Sequence, residues 1–366
     1  MKTRVAVGVS LIVVILAMAN LLPSQAQKMA SQPGQAQKVS TQPAQAERGP
    51  ETEPPISDVG ARLNPLKIAL LHWYLANTTT AVNVGNQPIG MCFDGANIWT
   101  ANYGDNTVTK VRANDGEVLG TFDVGQQPYG VTFDGANIWV SNQLSGTVTK
   151  LRSANGKVLG TFQVGRGPGW MAFDGANIWV PNGPDNTVSK LRATDGRTVG
   201  TFGVGNSPIA AAFDGSAVWI TNYIDGTVTK LATNGKVLGT FAVGGNPLGI
   251  AFDGTDMWVA NRGSNTLTEL RASDGMVLGT FSAPTGPYGI AFDGTYMWVS
   301  AGVFSYVFRA SDGVMVAFLS LQAGASPSTA LTFGRPRQTG TACSSSSTRW
   351  WAGGPGSPLL VVSPGR

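Results

Sequence analysis

Pro128-Tyr-Gly-Val-Thr-Phe-Asp-Gly-Ala-Asn-Ile-Trp139-Val-Ser-Asn142, then Gly146-Thr-Val-Thr-Lys150-Leu-Arg152, then Asn155-Gly-Lys-Val-Leu-Gly-Thr-Phe162-Gln-Val-Gly165, is one copy of a unit that recurs along the chain. Its Trp returns at 99, 139, 179, 219, 258 and 298, each following a Phe-Asp-Gly at constant spacing. The period is about 40 residues and has no helix-like spacing, which indicates a propeller or a solenoid.

Each unit divides into four short strands. Strand a ends in Phe-Asp, and strand b is Ile-Trp-Val-x-Asn. Strand c is Thr-Val-Thr-Lys-Leu, which alternates polar and apolar residues, and strand d is Val-Leu-Gly-Thr-Phe-x-Val. Asp-Gly-Ala-Asn and Asn-Asp-Gly between them suit hairpin turns, because Gly and Asn tolerate positive φ. Four strands per forty residues make one blade of an all-β propeller, and the recurring Trp is expected to pack between neighbouring blades.

Composition agrees. Of 366 residues 48 are Gly and ten are Trp, apolar residues make up 42% and charged residues only 13%. One His and two Cys exclude a disulfide framework and an ordinary zinc site, and leave little for a Ser-His-Asp triad. The net charge of +4 includes Lys2 and Arg4 near the start and Arg335, Arg337, Arg349 and Arg366 near the end. Without those six of the 25 basic residues, the 21 acidic ones outnumber the rest, so nucleic acid is not an expected partner.

The N-terminus carries an address. Met1-Lys2-Thr3-Arg4 precedes an apolar run from Val5 to about Leu22, broken by Pro23, with small residues at Ser24 and Ala26. This is the layout of a signal peptide over 1–26, and it predicts export to the periplasm or the extracellular space. A membrane association is expected only if the segment stays uncleaved as an anchor. Residues 27–62, rich in Gln, Pro, Ser and Ala, read as a disordered linker. The propeller is assigned to 63–324, and a monomer is expected.

On Phe-Asp-Gly, Trp-Val-x-Asn and Asn-Thr-Val-Thr-Lys in register, residues 85 to about 324 resemble the YVTN-type β-propeller repeats. They also resemble the streptogramin (virginiamycin B) lyase-like propellers. The lyase resemblance implies His and Glu on one propeller face, working with a magnesium ion. Here the one His, His72, lies upstream of the first unit, and no repeat contains one.

After Gly324 the pattern stops, and no Asp or Glu follows Asp312. The peptide Gly-Ile-Ala-Phe-Asp-Gly-Thr-Tyr-Val-Trp differs from Gly289–Trp298 only in Val for Met297. It can be written ggc atc gcc ttc gac ggc act tac gtt tgg. Read from the second nucleotide, this string spells Ala325 to Gly334 without a mismatch. The codons are chosen to fit, so the match establishes compatibility with a frameshift between about Trp298 and Ala325. On this reading 325–366 is an out-of-frame, disordered tail. Six in-frame units, a shifted a-b-c and Thr79–Gly85 as an early strand d then predict seven blades, the last of them incomplete.

Positions that repeat are structural, and positions that vary at equivalent places are candidates for function. The b–c and d–a loops vary and share one face of the ring. The b–c loops supply Tyr103, Asp105, Gln143, Asp185, Tyr223, Asp225 and Arg262, and the d–a side supplies Tyr129, Arg166, Trp170 and Tyr288. Aromatic, amide and single charged groups around a channel mouth suit a small-molecule, peptide or protein ligand. Asp105, Asp185 and Asp225 could ring a cation, although Asp before Asn-Thr or Gly-Thr is also ordinary turn chemistry.

Catalysis has few groups to draw on. Glu117 and Glu269 are the only Glu in the units; the first follows a c–d turn and the second replaces the strand-c Lys. The expected function is therefore an exported binding scaffold with no catalytic residue, no metal and no cofactor. The alternative is a streptogramin lyase-like lyase or hydrolase, the one case in which Mg or Ca is expected. Cys92 is expected buried in strand a, unpaired with Cys343.

Overall fold

The computed structural model describes residues 80–302, 304–320 and 359–361. Six four-stranded antiparallel sheets follow one another, each with its strands in chain order. Blade 1 comprises strand a (Pro88–Phe93), strand b (Asn97–Asn102), strand c (Thr107–Arg112) and strand d (Val118–Asp123). Blades 2 to 6 span 128–163, 172–203, 208–242, 247–282 and 287–320 in the same order. The protein is thus an all-β six-bladed propeller of roughly 40-residue repeats. The segments read as a signal peptide and a linker, His72, Cys343 and most of 325–366 lie outside the described residues.

The Phe-Asp-Gly signature folds the a–b hairpin. In blade 1 the Asp94 Oδ1 accepts the backbone N–H groups of Ala96 (3.0 Å) and Asn97 (2.7 Å), while Gly95 takes φ 98°. The other carboxylate oxygen accepts the Trp99 indole N–H at 2.8 Å. The same Asp–Trp bond recurs in every blade. It explains the fixed spacing, since the carboxylate caps the turn and aims the ring. Trp99 is fully buried and packs with Val131, Ile138 and Leu151 of blade 2, so the Trp does fill the space between blades.

The strand-b Asn closes the other end. Asn102 Nδ2 donates to Thr107 Oγ1 (2.9 Å) and Thr109 Oγ1 (2.8 Å), which accounts for the Thr-x-Thr of strand c. Blade 6 has Ala301 at that position and Phe304-Ser305-Tyr306 opposite, and these bonds are replaced by contacts among Phe304, Tyr306 and Phe318.

Successive blades are fastened in one direction. Lys110 Nζ sits 5.3 Å from the Trp99 ring centroid and donates to the Ser153 carbonyl (2.7 Å) of the next blade. Lys150, Lys190 and Lys230 repeat this onto blades 3, 4 and 5. The strand-d Phe points the same way: a Cβ on Gly156 in the blade 2 c–d turn would collide with the Phe122 ring.

Thr80–Val82 belongs to this pattern although it precedes blade 1. Val82 is buried against Met91, Phe93, Ile98 and Val111, and it approaches Gly116 where Phe122 approaches Gly156. It therefore stands in the place of a strand d. It pairs antiparallel with Leu359–Val361, with Thr80 opposite Val361 and Val82 opposite Leu359. Inner strands pack blade on blade from 1 to 6, and among the described residues strand a of blade 6 has no comparable packing on strand a of blade 1.

Cys92 is a buried free thiol in strand a of blade 1. Burial, and secondarily the Asp94 carboxylate, push its pKa well above the ordinary thiol range, which makes it a packing residue.

Candidate functional site

In blades 1, 2, 4, 5 and 6 the inner strand starts at the loop face with a Pro and a shift of register; in blade 2 the shift falls between Pro128 and Val131. Such bulges re-aim a side chain, and Tyr129 lies inside this one. The inner strands also come close together there. A Cβ on Gly90 would strike the Tyr129 carbonyl oxygen, so only Gly lets these strands approach at the channel.

Blade 3 departs from the pattern. Gly167-Pro168-Gly169-Trp170 shortens strand a to Ala172–Phe173, and Trp170 stands where blades 1 and 2 have Gly90 and Gly130. Trp170 bridges in parallel to Ala210 of blade 4, its N–H donating to Ile209 O and its carbonyl accepting from Ala211 N, both at 2.9 Å. The half-buried indole lies against Tyr129, with ring centroids 4.9 Å apart.

Arg262 lies on the b–c loop of blade 5, its backbone N–H bonded to Asn246 O. Burial pushes the Tyr129 hydroxyl up to about 12, with the Tyr103 phenol adding to the rise and the Arg262 charge opposing it. Burial likewise raises Tyr288, against a Ser300 hydrogen bond and the same Arg262 charge. Arg262 thus acts on tyrosines of blades 2 and 6, and Tyr103 brings in blade 1. The guanidinium is exposed and has no ion pair among the described residues.

The loop carboxylates have a different role. Asp105 accepts the Asn86 backbone N–H and side-chain amide, both at 2.6 Å. Asp225 does the same with Asn206, both at 2.7 Å. Asp185 accepts from Arg166 N (2.7 Å) and Arg166 Nε (2.6 Å). These bonds hold Asp185 and Asp225 below the usual carboxylate range, the backbone donor contributing most. Ser145 and Ser264 take the same post in blades 2 and 5. Each group pins a b–c loop to the d–a loop that leads into its own blade, a link to a residue 19 positions earlier and not a bond within the turn.

The magnesium site that the lyase resemblance implies does not fit the residues of this face. Asp105 and Asp225 are bonded to amide donors and Asp185 to the Arg166 backbone N–H and guanidinium, and no described repeat carries a His. The described acidic groups that do converge, Asp253, Asp256 and Glu269 within 4.8 Å, lie at the opposite end of blade 5.

An open cleft of about 300 Å³ lies between the loops of blades 1 and 2, lined by Tyr103, Leu144, Asn106 and the amides of Gln87, Gln126 and Gln127. Gln87 and Asn106 carry no signal in the sequence that separates them from turn residues. Gln143 and Tyr223 lie on the same face; their backbone N–H groups bond Gln127 O and Ser207 O.

Two solved structures share this fold. A catalytically inactive virginiamycin B lyase from Staphylococcus aureus, crystallised with quinupristin, aligns at a TM-score of 0.57 and 16% identity, over 65% of this chain and 87% of the lyase. A functionally unknown protein from Desulfotomaculum acetoxidans aligns at a TM-score of 0.55 and 16% identity, over 62% of this chain and 80% of that one. No family model matches the sequence, YVTN included, and no curated protein does. At this identity the likeness is one of fold: the chain is a β-propeller similar in architecture to virginiamycin B lyase.

Proposed function

We propose that the protein is an exported, non-enzymatic propeller that binds a ligand or an envelope partner at the loop-face mouth of its channel. The observation that carries this reading is the pairing of Tyr129 with Trp170. Two large aromatic rings, from blades 2 and 3, meet at 4.9 Å, and both are only partly buried. Trp170 stands at a position that is Gly in blades 1 and 2, so the ring is an addition to the repeat, and part of it packs against the core around Ala210 and Trp219. Partly exposed aromatics on the face that also carries an amide-lined cleft offer a stacking surface.

The test is thermal unfolding of the protein against a panel of aromatic, peptide and glycan compounds. Binding to the folded state raises Tm with ligand concentration. The reading predicts such a shift for at least one class, reduced in Trp170→Gly, which restores the repeat's own residue. If every class leaves Tm unchanged, the reading fails. Turnover of a lactone that requires magnesium and is lost in Asp225→Asn would instead support the lyase reading.

A further inference from the structure

We infer that the cleft between the loops of blades 1 and 2 is a subsite for a neutral sugar, whose hydroxyls pair with the amides of Gln87, Gln126, Gln127 and Asn106 while Tyr103 and Leu144 take its C–H face. The inference rests on the binding role proposed above and adds a place and a ligand class to it.

The amides are to spare because blade 2 departs from its sisters. In blades 1 and 4 the residue two before the inner-strand Pro gives its carboxamide to the Asp of the b–c loop, Asn86 to Asp105 and Asn206 to Asp225. Blade 2 has Ser145 in place of that Asp, and Ser145 accepts the Gln126 backbone N–H. The Gln126 carboxamide is left without a hydrogen bond among the described residues. Asn106 is released in the same way. In blade 3 Asn186 Nδ2 donates to Asn206 Oδ1 at 3.1 Å, whereas Asn106 uses only its Oδ1, which accepts the Gln127 N–H at 2.8 Å.

The carboxamides of Gln87 and Gln127 also make no hydrogen bond among the described residues. Both residues hold left-handed backbone, φ 52° and 53°, at the post where the other blades place Gly167, Ser207, Asn246 and Gly286. That region is costly for a residue with a Cβ and suits Gly best. The long side chains stand only in the two blades that line the cleft, which points to a use in the cleft and not in the turn.

The chemistry of the lining selects the ligand. No charged side chain lines the cleft, so an ion would give up water without a counter-charge. The backbone N–H groups at its rim are taken: Tyr103 N donates to Gln87 O, Gln127 N to Asn106 Oδ1 and Leu144 N to Gln126 O. An extended peptide that docks through a free strand edge therefore finds none. What remains is a set of carboxamides, each able to donate and to accept, beside the partly buried Tyr103 and the exposed Leu144. Adjacent hydroxyls on a ring with apolar C–H faces match that set, and a sugar is the neutral ligand that carries both. A volume of about 300 Å³ lies at the lower end of small-molecule sites.

The experiment is saturation-transfer NMR with titration calorimetry of the full chain, using cellobiose, maltose, N,N′-diacetylchitobiose, glucuronate and N-acetyl-trialanine amide. At least one of the neutral disaccharides is expected to bind, and more tightly than glucuronate or the peptide. Gln126→Ala and Gln127→Gly are each expected to weaken it about fivefold, the size of one neutral hydrogen bond. Gln127→Gly places the residue of blade 3 in the same turn, so it is expected to keep the wild-type Tm, and the lost affinity then belongs to the side chain.

Sugar binding that is unchanged in both variants overturns the placement in this cleft. Preference for glucuronate or the peptide, weakened by the same variants, overturns the ligand class while the binding role stands. No binding of any probe overturns the inference, and the wider compound panel with Trp170→Gly then decides the binding role separately.

Discussion

Lys150 reaches across a blade boundary to Ala193: its ammonium donates a 2.6 Å hydrogen bond to that carbonyl, 5.0 Å from the centroid of the Trp139 ring. Lys150 is almost fully buried. A charged donor in such a place is stabilising only because its carbonyl partners and the ring face replace water. Lys150→Met keeps the stem and deletes the donor, leaving the Ala193 and Thr194 carbonyls short of a partner. A loss of about 2–3 kcal/mol is expected, read as a lower urea midpoint at unchanged slope.

Blade 5 breaks the series, because Glu269 stands where the fastening Lys would be. Burial first, then the charges of Asp256 and Asp253, push its pKa up to about 7. A carboxyl whose folded pKa is raised contributes stability that is full below its unfolded pKa and lost as pH rises through about 7. Urea midpoints should therefore fall between pH 5 and pH 8, and Glu269→Gln should flatten that slope. A slope unchanged in Glu269→Gln would assign the pH dependence elsewhere. Glu269→Lys restores the repeat's residue beside two carboxylates and should raise the midpoint at pH 8.

The turn carboxylates carry the opposite sign. Burial pushes Asp174 up, but hydrogen bonds from Trp179, Ala176 and Asn177 outweigh it and hold the group below its ordinary value. Stability from this group is present above the unfolded pKa and lost as pH falls through the lowered one. Asp174→Asn should destabilise at pH 7 by about 1–2 kcal/mol and weaken the acid limb of the unfolding curve.

Gly196, in the c–d turn of blade 3, has φ 76° and lies under the Phe162 ring. Gly196→Ala adds a methyl that meets the ring and strains a left-handed backbone. About 2–4 kcal/mol is expected. Pairing it with Phe162→Ala should give a cost well below the sum, since the two changes act on one contact.

The repeat made the blades legible. Strand c of blade 2 runs Thr147–Arg152 where Thr-Val-Thr-Lys-Leu is expected, and Trp139 packs between blades because a large apolar residue in every copy has nowhere else to go. The loop face was legible only as a set of positions. Sequence places Asp105, Asp185 and Arg166 on that face but does not reveal that they are bonded to their own blades, since the partners lie 19 residues away. The approach of Trp170 to Tyr129 depends on how blades 2 and 3 pack, and it leaves no trace in the period. The reach of Lys150 to Ala193 is of the same kind.

The one-way fastening also gives the molecule a sense of time. The Trp, the strand-d Phe and, in blades 1 to 4, the Lys seek partners in the next repeat, in chain that emerges only after that blade has. Each new blade therefore emerges with its rear surface provided and its forward surface waiting. Synthesis that pauses between units would leave a buried-type indole and an ammonium in water together. The order in which the chain is read is thus also the order in which its seams can close.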